Sequence, residues 1–142
     1  MLAAAADLLD QGQIANRLSV AATAIALGVL LLPLVPTSEA TAPTAAAVAI
    51  IGIVELFLAA RVALDAVLFR RLANDAASER LDVAAFDAAL LALKIMPADK
   101  AGRPIAKRFA GARRLLLLQQ AALLLQVLAT IAGAASAYFN WL

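Results

Sequence analysis

Glu55 is the first candidate for chemistry, because it interrupts an apolar run from residue 44 to residue 69. An ionised side chain near the middle of a membrane-spanning helix costs at least about 2.5–3.5 kcal/mol, so such a residue needs a function or a partner. One interpretation is a proton or cation site. The other is a neutral carboxyl that bonds to Gln126 in a later apolar run and fixes the packing of two helices.

Arg61 and Asp65 are the other charged residues in this run. They are four residues apart, so a helix places them on one side. They form either an ion pair that binds a substrate or a self-neutralising pair in which Arg61 reaches toward lipid headgroups. Gln119 and Gln126, seven residues apart, share a face of a later helix. We therefore predict one polar seam between the two helices, formed by Glu55, Arg61, Asp65, Gln119 and Gln126.

Basic residues are concentrated in one segment of the chain. Ten of the 12 Lys and Arg residues lie between positions 70 and 114, where they include Lys107, Arg108, Arg113 and Arg114. These four form a site for anionic lipid or for a partner, or they only set the membrane topology. Since Phe109 is the one aromatic residue close to them, we expect no binding to nucleic acid.

Catalytic and cofactor motifs are missing from the sequence. It contains no Cys and no His, which excludes the usual zinc, haem and iron–sulfur ligand sets and the nucleophile–histidine pairs. It also lacks the glycine-rich signatures of nucleotide-binding loops. We therefore expect no enzymatic activity, no metal site and no cofactor.

The elements that position these residues are membrane-spanning helices. Hydrophobic residues make up 65% of the 142 residues and charged residues 15%, with a mean hydropathy of +0.91. Soluble domains carry about 45–50% apolar and about 25% charged residues, so much of this surface must face lipid. We predict an all-α protein, a single membrane domain with spans at about 18–35, 44–69 and 115–139. A signal peptide ending near residue 40 is the main alternative for the first span, but the two Asp residues before Arg17 disfavour it.

The remaining segments are predicted to be helical as well. Residues 1–17 form an interfacial segment, and a cytoplasmic amphipathic helical hairpin lies in the loop 70–114 between spans two and three. Its helix, 81–96, ends at Met96-Pro97 and has the apolar stripe Leu81, Ala85, Ala88, Leu91 and Ile95, with Asp82, Asp87 and Lys94 off the stripe. The third span continues a helix that begins at Ile105. Close helix packing is predicted at small residues spaced by four, namely Ala24 with Gly28, Ala45 with Ala49, and Ala129 with Gly133 and Ala137.

The charge distribution predicts the orientation in the membrane. The loop between the first two spans has no Lys or Arg, whereas the loop 70–114 is basic. The positive-inside rule then places the N-terminus in the cytoplasm and the C-terminus in the periplasm or outside, with Tyr138 and Trp141 at headgroup level. The Ala- and Leu-rich composition favours a bacterial cytoplasmic (inner) membrane.

Three functions fit these observations. The leading hypothesis is a non-catalytic accessory or assembly subunit of a larger inner-membrane complex, because the chain has little mass outside the membrane and carries polar groups that a partner would bury. The alternative is a small homo-oligomeric proton-coupled transporter or channel that uses Glu55. A holin-like protein that permeabilises the membrane is the third. Membrane lipids and either a larger membrane protein or further copies of the chain are the expected partners.

Overall fold

The protein is a bundle of helices, as seen in a computed structural model that describes residues 2–31, 41–79 and 82–141. The helices are α1 (Leu2–Asp10), α2 (Gly12–Leu31), α3 (Thr41–Ala77), α4 (Val83–Ala92) and α5 (Ile105–Trp141), with a short 3₁₀ helix at Ala98–Lys100. Three segments, Leu2–Leu31, Thr41–Ala77 and Ile105–Phe139, are long and apolar enough to cross a membrane. This confirms the prediction of an all-helical chain with three apolar helices, including the continuous helix from Ile105. Residues 32–35, the end of the predicted first span, lie outside the described residues.

The three long helices pack side by side in alternating directions. α3 runs antiparallel to α5, since Glu55 meets Gln119 and Val48 meets Gln126. α2 runs parallel to α5, since Gly12 meets Gln119 and Ser19 meets Gln126. Large apolar side chains on the outer faces of all three helices are exposed, which is the distribution expected of helices surrounded by lipid.

Small and polar residues at seven-residue intervals form the contact faces of these helices. The buried positions are Gly12, Ser19 and Ala26 on α2, Ala45, Gly52, Ala59 and Ala66 on α3, and Ala112, Gln119 and Gln126 on α5. A period of seven keeps residues on one side of helices that cross at a small angle, and small side chains let the backbones approach closely. Of the pairs spaced by four, Ala45 with Ala49 is buried, whereas Ala24 and Ala137 are exposed and do not form contacts within the bundle.

The N-terminal segment extends the first long helix. α1 is separated from α2 by a single turn residue, Gln11, and it packs along α3. Its Leu9 lies in one apolar cluster with Phe69 of α3 and Leu116 of α5. Asp10, the last residue of α1, pairs with Arg70 of α3. These contacts are made to protein, and they do not confirm the predicted interfacial segment.

α4 is the short helix in the connection between α3 and α5. The Asp82 carboxylate caps its N-terminus by accepting a hydrogen bond from the Ala85 amide at 2.9 Å. Its C-terminus is a Schellman motif, in which the amides of Lys94 and Ile95 donate to the carbonyls of Leu91 and Leu90 and Lys94 has a positive φ of 56°. α4 is therefore shorter than the predicted 81–96.

The buried face of α4 also differs from the predicted stripe. Asp87 and Leu90 are buried, whereas Ala85, Ala88 and Ile95 are exposed. The reason is an ion pair: Asp87 turns toward α5 and binds Arg108, and this interaction sets the rotation of the helix.

Candidate functional site

A buried polar layer joins the three long helices at Gly12, Glu55 and Gln119, and we call it the Gln119 layer. Glu55 and Gln119 are fully buried. The Gln119 amide nitrogen donates to Glu55 Oε1 and to the Gly12 carbonyl oxygen, each at 2.8 Å. Both of its N–H groups are thereby used. Glu55 Oε2 and Gln119 Oε1 have no hydrogen-bond partner among the described residues, so the layer holds two acceptors without a donor.

A second layer, the Gln126 layer, lies two helical turns further along α5. The Gln126 amide nitrogen donates to Thr23 Oγ1 at 2.9 Å and lies within 3.4 Å of the Ser19 and Val48 carbonyl oxygens. Thr23 in turn donates to the Ser19 carbonyl oxygen at 2.8 Å. The seven-residue spacing of Gln119 and Gln126 places the two layers about 10.5 Å apart along the helix.

The two layers depend on glycines at which the helices approach closely. A Cβ atom added at Gly12 would lie 2.7 Å from Gln119 Oε1, and one added at Gly52 would lie 1.8 Å from Thr23 Oγ1. Seven residues beyond Gln126, a Cβ atom at Gly133 would lie 2.6 Å from a methyl group of Thr44. A side chain larger than hydrogen at any of the three positions would therefore require the neighbouring side chain or helix to shift.

The predicted polar seam is divided into separate sites. Gln119, and not Gln126, is the hydrogen-bond partner of Glu55, so the predicted pairing of Glu55 with Gln126 was wrong. The two glutamines occupy the same face of α5. The relative position of α3 and α5 along their axes brings Glu55 to Gln119, the glutamine closer to the N-terminus of α5. Arg61 and Asp65 do share one side of α3, as predicted, but they line a cavity outside both layers.

This cavity, which we call the basic cavity, lies where α4 and the following loop fold back between α3 and α5. Its volume is about 250 Å³. Apolar side chains from three helices form much of its wall, among them Leu68 of α3, Leu90 of α4 and Leu115 of α5. Its charged lining consists of one carboxylate, Asp65, and five cationic side chains, which are Arg61, Lys100, Arg103, Lys107 and Arg108.

An ion pair between Asp87 and Arg108 holds α4 against the basic cavity. Both guanidinium nitrogens of Arg108 donate to the carboxylate, at 2.7 and 2.6 Å, and both side chains are largely buried. Gly102, whose positive φ of 70° suits glycine, donates its amide to the same carboxylate at 2.8 Å. The hydrogen bond from Arg108 lowers the pKa of Asp87, burial opposes this shift, and the Gly102 amide lowers the pKa further.

Only two of the four residues in the predicted basic cluster line the cavity. Lys107 and Arg108 line it, whereas Arg113 and Arg114 are exposed and lie outside it. Sequence reasoning missed Lys100 and Arg103, which the 3₁₀ helix and the following loop bring to the cavity. It also missed the polar contacts of Gly12, Ser19, Thr23 and Gly52, for which the seven-residue spacing of small residues is the available signal.

Comparisons of the chain with protein-family models, with curated proteins and with solved structures found no match. Within the described residues, no group of three or more acidic side chains is placed to hold a metal ion.

Proposed function

We propose that this chain is a non-catalytic accessory or assembly subunit of a larger membrane complex. The observation that carries the proposal is the outward face of α2 at Ala24 and Gly28. Ala24 is exposed, and a Cβ atom added at Gly28 would meet no side chain or other helix of the described residues within 4 Å. Since small residues allow close approach of helices in lipid, this face suits a helix of another protein.

A polar side chain, Gln120 of α5, also points away from the bundle. Gln120 is exposed, although the neighbouring Gln119 is fully buried and the surrounding segment of α5 is apolar. An amide that faces lipid lacks hydrogen-bond partners, which is unfavourable by about 1–3 kcal/mol on scales from protein mutations. A polar side chain on a partner helix would remove this cost, and this supports the same proposal.

The arrangement of Glu55 supports a packing role over the transporter alternative. Its carboxylate is fully buried and accepts a hydrogen bond from Gln119 of the neighbouring helix. Such an interhelical bond stabilises membrane helices by about 0.6 kcal/mol on average. A stable homo-oligomer that loses transport in Glu55→Gln would instead favour the transporter.

The location that fits this role is the cytoplasmic membrane of a bacterium, with the α3–α5 connection in the cytoplasm. The charge asymmetry of the two loops supports this orientation. Because the chain has no Cys, a single cysteine introduced at position 38 reports topology without background. We expect a membrane-impermeant maleimide to label it from outside; labelling only from the cytoplasm would reverse the orientation.

The experiment that tests the accessory role is affinity purification of tagged variants from the native cells in mild detergent. We expect wild type to retain a near-stoichiometric foreign membrane protein and Gly28→Ile to lose it, because the larger side chain blocks the close contact. Ala60→Ile is the matched control, since Ala60 is a small, exposed residue of another span. Equal retention in both variants would contradict the proposed contact face, and absence of any foreign partner would contradict the accessory role.

A further inference from the structure

The basic cavity has a cationic part and an apolar part. Five cationic side chains and only one carboxylate line it, so it has an excess of positive charge. The apolar wall includes Leu64 and Leu68 of α3, and both lie within the run that was predicted to span the membrane. The cavity therefore extends from an apolar helix surface to a charged end of the bundle.

Three of the cations have no salt bridge among the described residues. Arg108 is used by Asp87 and Arg103 pairs with Asp99, but Arg61, Lys100 and Lys107 have no such partner. Arg61 and Lys100 do act electrostatically on Asp65, yet a single carboxylate cannot balance both of them and Lys107. The cavity thus presents cationic donors to an anion from outside the chain.

We propose that the basic cavity binds the phosphorylated headgroup of an anionic membrane lipid. The lysine and arginine side chains bind the phosphate, and the acyl chains leave the cavity along the apolar surface of α3. The cavity volume of about 250 Å³ lies just below the range of about 300–1,000 Å³ typical of small-molecule sites, so we expect the cavity to hold the headgroup and not the whole lipid. This site does not depend on the proposed protein partner.

Arg108 gives the site a defined shape as well as charge. Its guanidinium holds α4 through Asp87, and its Nε donates to the Arg103 carbonyl oxygen at 2.9 Å. These bonds fix the loop that carries Lys100 and Arg103 beside α5. Donors held in a fixed arrangement bind a phosphate at one defined place. Lysines and arginines on a surface are only attracted in general to an anionic membrane.

The test compares two double variants of the full chain that remove the same charge. Lys100→Gln/Lys107→Gln removes two lining cations that make no salt bridge, and Arg113→Gln/Arg114→Gln removes two exposed cations outside the cavity. Each purified protein is titrated in mild detergent with phosphatidylglycerol, with phosphatidylcholine and with inorganic phosphate. Native mass spectrometry measures the bound lipid, and isothermal titration calorimetry measures phosphate. Circular dichroism confirms that each variant is folded.

We expect wild type to bind phosphatidylglycerol in preference to phosphatidylcholine. With at least about 1.5 kcal/mol for each hydrogen bond to a charged group and tenfold for each 1.4 kcal/mol, the loss of both lining lysines should weaken binding about 100-fold or more. The Arg113/Arg114 variant should bind like wild type. Equal weakening of both variants would show surface attraction only and overturn the site. Equal binding of the two lipids would also overturn it, and inorganic phosphate that binds as tightly as phosphatidylglycerol would overturn the assignment to a lipid.

Discussion

Replacement of Gly52 by alanine tests whether the close approach of α2 and α3 stabilises the bundle. The added Cβ atom would lie 1.8 Å from Thr23 Oγ1, about 1.6 Å short of the 3.4 Å at which ordinary contact begins. Thr23 cannot move without cost, because its hydroxyl donates to Ser19 and accepts from Gln126. Either the helices separate or both hydrogen bonds break.

The expected loss in the free energy of unfolding combines the steric overlap at Thr23 with the loss of its hydrogen bonds. Overpacking of a well-packed interface costs about 1–3 kcal/mol, and loss of an interhelical hydrogen bond costs about 0.6 kcal/mol, rising to about 1.7 kcal/mol. Alanine recovers up to about 1 kcal/mol through its higher helix propensity. We therefore expect Gly52→Ala to lower the free energy of unfolding by about 1–3 kcal/mol.

Gly28→Ala is the matched control, because in the described part of the chain a Cβ atom added there meets no side chain and no other helix within 4 Å. Reversible unfolding in mixed micelles of mild detergent and dodecyl sulfate measures both variants. Energy transfer between dyes on cysteines introduced at the exposed positions Ile25 and Ile131 reports the separation of α2 from α5. We expect Gly28→Ala to be neutral or slightly stabilising. Wild-type stability of Gly52→Ala, or an equal loss in both variants, would refute the described packing.

Three further results are expected. Glu55→Gln should keep the free energy of unfolding within about 1 kcal/mol of wild type, since the new amide oxygen can still accept the hydrogen bond from Gln119. Glu55→Leu should lower the free energy of unfolding by about 1–2 kcal/mol, because it leaves a buried N–H of Gln119 unpaired. The pKa of Asp87 is lowered in the folded protein, so its stabilisation is present above the ordinary carboxyl pKa of about 3.9 and is lost as the pH falls below it. Amide exchange of α4, corrected for intrinsic rates, should therefore accelerate below about pH 4 and, at neutral pH, in Asp87→Ala. Lys94→Gly should stabilise α4 by up to about 1 kcal/mol, because glycine adopts the positive φ without strain.

A specific outcome would contradict each of these three expectations. Equal stability of the two Glu55 variants would show that the hydrogen bond contributes nothing. Exchange in α4 that does not change below pH 4 would show that the Asp87 ion pair does not hold the helix. Faster amide exchange of α4 in Lys94→Gly would contradict the Schellman motif. Ala88→Gly is the control, because a glycine at this exposed site inside α4 should destabilise the helix.

The three long helices could be predicted from the sequence because their apolar runs are long and nearly free of charge. The continuous α5 also follows from the sequence, since Pro104 precedes it and no proline lies between Ile105 and the third apolar run. The partner of Glu55 could not be predicted in the same way. Gln119 and Gln126 share a face of α5, and only the relative position of α3 and α5 decides which of them meets Glu55.

The rotation of α4 and the basic cavity depend on long-range contacts. The periodicity of residues 81–96 indicates an apolar stripe, but Asp87 is buried because Arg108, 21 residues away, pairs with it. Lys100 and Lys107 appear in the sequence as parts of a generally basic loop. They become lining residues of one cavity only when that loop folds back against α3.

Native mass spectrometry of the tagged wild-type chain, released from its own cells in nanodiscs, tests the central functional claim most directly. A subunit whose small Ala24–Gly28 face points away from the bundle should be recovered with a larger membrane protein at near-stoichiometric ratio. Recovery of the chain alone, or as a homo-oligomer without a foreign protein, would contradict the accessory role and direct attention to transport through Glu55.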